Sequence, residues 1–152
     1  MKYVIGFIVA IVAASVNAEN VPYSGQLAQS CTFSGVTPGQ LVFQNGNEFA
    51  TQAIASFNVV NNDTFDVIID TLDTFDSAPA GASMAAPATV TVETGGDNPN
   101  LPLSGAPGTG YAMTLAALGD TSVNMSISGT IANARAGDYQ ASVLISCLPS
   151  GF

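Results

Sequence analysis

Carboxylates are almost the only side chains in this sequence with catalytic or ligating potential. Its 152 residues hold 11 Asp and Glu, two Lys and Arg, two Cys and no His. Without His there is no Ser-His-Asp triad, no Cys-His pair, no imidazole base and no His-ligated zinc. Two cysteines do not complete a four-thiolate site. The Gly-rich stretch from Gly105 to Gly110 has no Lys after it and no following helix pattern, so it does not read as a phosphate cradle.

Two uses of carboxylates remain. A glycosidase needs a facing pair, and this chain has no Trp to stack on sugar rings. Asp-Thr pairs begin at Asp63, Asp70, Asp73 and Asp120, but none continues to Gly, which removes an aspartic-protease reading. Calcium is the second use. Asp70, Asp73 and Asp76 are spaced by three beside a loop, with Asp66 nearby, and Ca²⁺ takes about six to eight oxygens at flexible geometry. The spacing is not that of an EF-hand, and a solvated acidic loop is the alternative. The expectation is a protein that is not an enzyme, with calcium as its one candidate cofactor.

The elements that position these residues follow a period of two. Tyr139, Ala141, Val143, Ile145 and Cys147 alternate with Gln140, Ser142, Leu144 and Ser146, which predicts a strand from Tyr139 to Cys147 with one face on a core. Gly137 and Tyr139 at its entry match a tyrosine corner, in which the hydroxyl bonds back to nearby backbone. Thr121 to Ile131 alternates in the same way, as does Ala88 to Thr94. Leu41 to Phe43 before Asn45-Gly46 predicts a hairpin. Thr51 to Val60 and Thr64 to Leu72, joined by Asn61-Asn62-Asp63, predict another. A strand is expected over Tyr111 to Ala116. Loops are expected over Asp73 to Pro87, with a helical turn near Ala80 to Ala86, and over Pro102 to Gly110. These are about seven to eight short strands with turns between them, which predicts an all-β, antiparallel, immunoglobulin-like β-sandwich.

The chain is one domain after a leader. Lys2, an apolar run from Tyr3 to Val16, and Val16-Asn17-Ala18 read as a secretory signal peptide cleaved after Ala18. The run is shorter than the ~20 residues of a membrane span. Residues 19–152 then carry all 11 acids against one cation, Arg135. Such a surface repels phosphate backbones, so nucleic acid is not an expected partner, and no membrane insertion is expected after cleavage. In an exported chain, Cys31 and Cys147 most simply form a disulfide; two free thiols are the alternative. Asn62-Asp63-Thr64 and Asn124-Met125-Ser126 match the N-glycosylation pattern.

Cys31, Thr32 and Phe33 followed by Pro38-Gly39, and a closing strand of Ala136, Gly137, Tyr139, Val143 and Ile145, resemble the two ends of the spore coat protein U domain and of archaic chaperone–usher pilin subunits. The resemblance implies an incomplete immunoglobulin-like sandwich whose N-terminal arm completes a neighbour's sheet by β-strand addition. Here that arm is residues 19–29, with Val21, Tyr23 and Leu27 filling pockets and Gly25 where space is tight. The family's disulfide usually lies in the first half of the chain, whereas Cys147 ends the last strand. A Cys31–Cys147 bond leaves open whether the closing strand meets this chain's own N-terminal strand or another molecule's. The expected function is a secreted, periplasmic or cell-surface structural or adhesive subunit that self-associates or joins other surface subunits. The alternative is a self-contained, disulfide-bonded binding module for a glycan or surface.

Overall fold

A computed structural model describes residues 28–150, all β among those residues. The strands are β1 (Cys31–Thr37), β2 (Gln40–Gln44), β3 (Glu48–Ala53), β4 (Ala55–Asn61), β5 (Phe65–Ile69), β6 (Ser83–Met84), β7 (Thr89–Gly96), β8 (Ser104–Ala106), β9 (Gly110–Leu115), β10 (Gly119–Ala132) and β11 (Ile145–Pro149). Two antiparallel sheets pack face to face as a β-sandwich. One has the order β1-β4-β10-β3-β2, with β6 and β7 on the other side of β10; the second is β11-β5-β9-β8.

Much of the first sheet is one long hairpin. β1 and β2 form one interrupted strand that pairs along β4 and β3. The turn is Asn45-Gly46-Asn47, where Asn45 and Gly46 take the positive φ values that Asn and Gly tolerate best. Where β3 passes into β4, Thr51 to Ile54 face only Ser126 and Ile127 of β10. Thr51 Oγ1 fills the resulting gap. It accepts a hydrogen bond from the Ile127 N–H at 2.7 Å and donates to the Ile127 carbonyl at 3.1 Å, so both backbone groups of Ile127 are satisfied at the bulge.

The alternating rows meet between the sheets. Phe57, Val59 and Val123 of the first sheet pack on Val67, Met113 and Leu115 of the second. Ile69, Tyr111, Val90 and Met125 continue this core, and Phe49, Leu72, Met84, Ala88 and Ile131 close one end. Gly129 lies beneath Phe49, where a Cβ would stand 2.7 Å from the ring.

Four expectations need correction. The pair Thr51 to Val60 and Thr64 to Leu72 is not a hairpin: β4 and β5 belong to opposite sheets. Both strands carry strong apolar rows, and crossing over the sandwich end lets Val59 and Val67 face each other. Buried amides hold that crossing. Asn61 Nδ2 donates to the Asp63 and Ala117 carbonyls, and Asn98 grips Ala117 and Thr121. Ala80 to Ala86 forms no helix; Ser83 and Met84 add a short strand to β10, because Met84 gains more by burial than Ala-rich sequence gains by helix propensity. The Pro102 to Gly110 loop contains β8. The closing strand begins only at Ile145.

The Cys31–Cys147 disulfide is formed, with Cα atoms 6.3 Å apart and a sequence separation of 116. It joins β1, an edge of one sheet, to β11, an edge of the other. Such a bond points to an oxidising compartment. No helix among the described residues is long and apolar enough to cross a membrane. Replacing both cysteines by Ser frees a long loop in the unfolded chain, and the expected loss is about 4–5 kcal/mol. Urea unfolding of the variant against the oxidised protein measures it; equal midpoints would remove this account.

Candidate functional site

Residues 139 to 147 form the outer border of the second sheet, and their hydrogen-bond phase decides what they present. The Leu144 carbonyl accepts from the Asp70 N–H and the Ser150 N–H donates to Thr64. With Ser146 opposite Ile68 and Leu148 opposite Asp66, the even-numbered residues bond β5. Gln140 likewise exchanges hydrogen bonds with Asp76 and Ser77. The odd-numbered residues therefore turn their N–H and C=O groups to the opposite edge. There Ala141, Val143, Ile145 and Cys147 have no backbone partner among the described residues. Their side chains point to the core yet stay only half-buried.

A groove of about 310 Å³ opens beside this edge, lined by Leu41, Phe57, Met125, Ile127, Val143 and Ile145 among others. Its far wall is β1 and β2. That wall is irregular: Gly35 has φ +61°, the register shifts on both sides of Pro38, and Pro38 has no N–H. A Cβ on Gly39 would stand 2.8 Å from the Ala53 carbonyl, so this narrowing requires glycine. The groove thus has one regular hydrogen-bonding edge and one broken one. The disulfide closes it at one end. At the other, Phe43 and Tyr139 meet across it with ring centroids 4.8 Å apart, and Tyr139 packs in turn on Phe75.

Tyr139 is fixed by its hydroxyl, which donates to the Arg135 carbonyl at 2.8 Å and accepts from the Arg135 N–H at 3.0 Å. Gly137, φ +148°, lies against Pro79, whose Cγ would be 2.7 Å from a Cβ there. These are the bonds of a tyrosine corner built on Gly137 and Tyr139.

The acidic residues are not gathered. Asp70, Asp73 and Asp76 are each exposed, and no three His, Cys, Asp or Glu among the described residues could hold one metal ion. Asp76 instead accepts from Ser142 Oγ at 2.6 Å, which bridges the stretch where the ladder lapses. The calcium reading fails on this geometry, since a loop that spreads its carboxylates outward supplies one ligand at a time. Asn62 is also occupied: its amide accepts from the Ser30 N–H and donates to the Ala28 carbonyl. Beside it, Gln29 Nε2 donates to Asp63 at 2.6 Å. That bond, with the Thr64 N–H, holds the Asp63 carboxyl below its ordinary value of 3.8. Residues 28 to 30 are thereby tied to Asn62 and Asp63. The arm residues Val21, Tyr23, Gly25 and Leu27 lie outside the described residues.

The sequence pattern marked Tyr139, Val143 and Ile145, and Met125 and Ile127 as inward residues of their strand, but not that Leu41 would join them in one groove. No family model matches the chain, and comparison with curated proteins and with solved structures finds no match.

Two outcomes test this geometry. Tyr139→Phe removes both corner hydrogen bonds and keeps the ring, so stability should fall by about 1–2 kcal/mol; an unchanged melting temperature would mean that the corner holds nothing. The folded Asp63 carboxyl titrates below its unfolded value, so its hold on Gln29 is present above about pH 4 and lost as pH falls. Amide exchange at Thr64 should accelerate from pH 5 to pH 3 beyond the intrinsic pH dependence, and Asp63→Asn should abolish that excess.

Proposed function

We propose that this protein is an exported, non-enzymatic structural or adhesive surface subunit that assembles by accepting a β-strand. One observation carries the reading: a strand edge with free backbone groups borders an apolar groove whose core-facing side chains are half-buried. An added strand would pair with residues 139 to 147 and lay alternate side chains onto Leu41, Phe57, Met125, Ile127, Val143 and Ile145. Backbone pairing supplies affinity and the alternate pockets supply selectivity. The immunoglobulin-like form of the sandwich belongs to this reading, with the missing strand as its vacancy.

The chain's own sequence contains a suitable strand. Val21, Tyr23, Gly25 and Leu27 share one parity over seven residues, close to the nine residues from Tyr139 to Cys147. In this reading the arm completes the groove of a neighbouring copy. The lack of His and the scattered acids support a role without catalysis. A self-contained glycan- or surface-binding module is the second reading. It rests on the disulfide, which makes the two edges one unit without a partner.

Deleting residues 19–27 from the exported chain tests the first reading. The full chain should assemble in size-exclusion chromatography, and the shortened one should stay monomeric and bind a peptide of residues 19–29. Val143→Asp, which puts a charge into the groove, should weaken peptide binding by at least tenfold. A full chain that is monomeric, with melting unchanged by the deletion, would sink strand addition and leave the second reading.

A further inference from the structure

Where β7 meets β10, the outer face of the first sheet sinks into a hollow of about 470 Å³. Ser122 and Asn124 of β10 face outward there, because Val123 and Met125 are buried between the sheets. Gly95 and Glu93 of β7 stand directly opposite them. Asn100 and Leu101 form the rim; their N–H groups donate to the Thr94 carbonyl at 3.1 Å and to Thr94 Oγ1 at 2.8 Å. A Cβ on Gly95 would stand 2.8 Å from Ser122 Oγ, so the hydroxyl occupies the space that a side chain would fill. Glu93, Asn100, Ser122 and Asn124 are all exposed. The side-chain bonds near them belong to Thr94, Asp97, Asn98 and Thr121, which leaves these four without a partner among the described residues. Val92 adds backbone groups. The Val90 N–H donates to the Tyr111 hydroxyl and the Thr94 carbonyl accepts from Asn100, so the even residues of β7 turn away from β10. The N–H and C=O of Val92 therefore open on the hollow's edge.

Two polar rows lead from the hollow across the sheet. Gly95, Ser122, Asn58 and Ser34 are successive Cα partners on β7, β10, β4 and β1, and so are Glu93, Asn124, Ser56 and Thr37. At ordinary strand spacing each row is about 14 Å long. Protein surfaces are usually rich in charged side chains, yet these rows hold Gly, Ser, Thr and Asn with Glu93 as the one exception. The charge pattern narrows the ligand. Glu93 is the only charged residue lining the hollow. Asp97 and Asp120 stand one row further on, where the Asp97 carboxylate accepts from the Asp120 N–H at 2.8 Å. These acids oppose an anion. No three His, Cys, Asp or Glu among the described residues could hold a metal ion, and an amine gains little from one carboxylate in water. Hydroxyl, amide and backbone groups both donate and accept, and Leu101 and Val92 lie beside them, which suits a neutral polyhydroxy ligand. We propose that this face binds a linear neutral oligosaccharide, with one sugar in the hollow and the next ones along the rows toward β1. The proposal rests on the adhesive part of the proposed function and not on strand addition.

Surface plasmon resonance tests this with the full exported chain immobilised and sugars in solution, so that each site reads its own affinity whether or not the chains assemble. The chain is made in a host that leaves Asn124, the head of a glycosylation triplet, unmodified. The probes are glucose, cellotriose, N-acetylated chitotriose and, as the anionic counterpart, trigalacturonate. No aromatic side chain lines the hollow, so binding should depend on length: at least one neutral trisaccharide should bind more tightly than glucose, and trigalacturonate should not bind. Glu93→Ala and Asn124→Ala should each weaken the trisaccharide by about three- to tenfold, the loss of one hydrogen bond. Gly95→Ala should weaken it too by turning the Ser122 hydroxyl, a side-chain shift that leaves the backbone in place; thermal melting checks that all three variants fold. Binding that ignores these variants but is lost in Val143→Asp would put the sugar in the groove, overturning this site while leaving the glycan reading. Equal binding of trigalacturonate would overturn the neutral-ligand assignment. No saturable binding of any neutral sugar would overturn the inference and the glycan reading together, and strand addition would still stand or fall on assembly of the wild-type chain.

Discussion

Cys31 and Cys147 hold two sheet edges together where no backbone hydrogen bond does. β1 pairs with β4, and β11 pairs with β5; across the open side of the sandwich the only covalent tie is the disulfide. Sheets packed face to face are normally held in place by the interdigitation of their inner rows. Here those rows are complete under β4, β5, β9 and β10, where Val59, Val67, Leu115 and Val123 are fully buried. They thin toward β1 and β11, where Phe33, Ile145 and Cys147 are partly exposed. The crosslink stands where packing is weakest. It sets the separation of the two edges at one end of the groove, while the Phe43–Tyr139 contact sets it at the other.

The far side of the molecule has different means. Asn61, Asn98 and Thr121 are buried polar residues at the end where the chain crosses between sheets. Their bonds to Ala117 and to each other let β4 lead to β5, and β9 to β10, without a hairpin at either place. Both ends of the Asn98 amide are paired, and Asn61 is paired through Nδ2 while its Oδ1 has no hydrogen-bond partner among the described residues; the paired groups fix Ala117 and Thr121 at the crossing and favour it over the hairpin that the Asn61-Asn62-Asp63 turn signal invites. The two sheets therefore owe their connectivity to polar groups at one end and their spacing to apolar ones between.

This division explains what the sequence disclosed. Strands with one buried face announced themselves: β10 by Val123, Met125 and Ile127, β7 by Val90 and Val92, β5 by Phe65, Val67 and Ile69. The disulfide followed from compartment and count. Partner choice was less legible. The alternation in β4 and β5 is compatible with a hairpin or a crossing, and only the long-range grip of Asn61 on Ala117 decides. The closing strand misled in a more informative way. Tyr139 to Cys147 has the pattern of a strand throughout, yet ladder pairing is continuous only from Ile145. Pattern reports which side faces a core; it does not report whether a neighbour is present. Ala141 and Val143 have the first without the second. The calcium reading failed for a related reason, because spacing by three in a loop fixes no common direction for Asp70, Asp73 and Asp76.

Unpaired edges invite aggregation, and β proteins commonly blunt them with proline, bulges or charge. The two edges on the open side are treated differently. β1 and β2 carry Gly35, Pro38 and Gly39, with a register shift on either side, and offer no continuous row of donors. Residues 139 to 147 carry no proline and no charge, and the outward N–H and C=O groups of Ala141, Val143, Ile145 and Cys147 have no backbone partner among the described residues. If both edges merely faced solvent, the same protection would serve both. Under the proposed strand addition, the broken edge stops indiscriminate pairing and the other edge admits one strand.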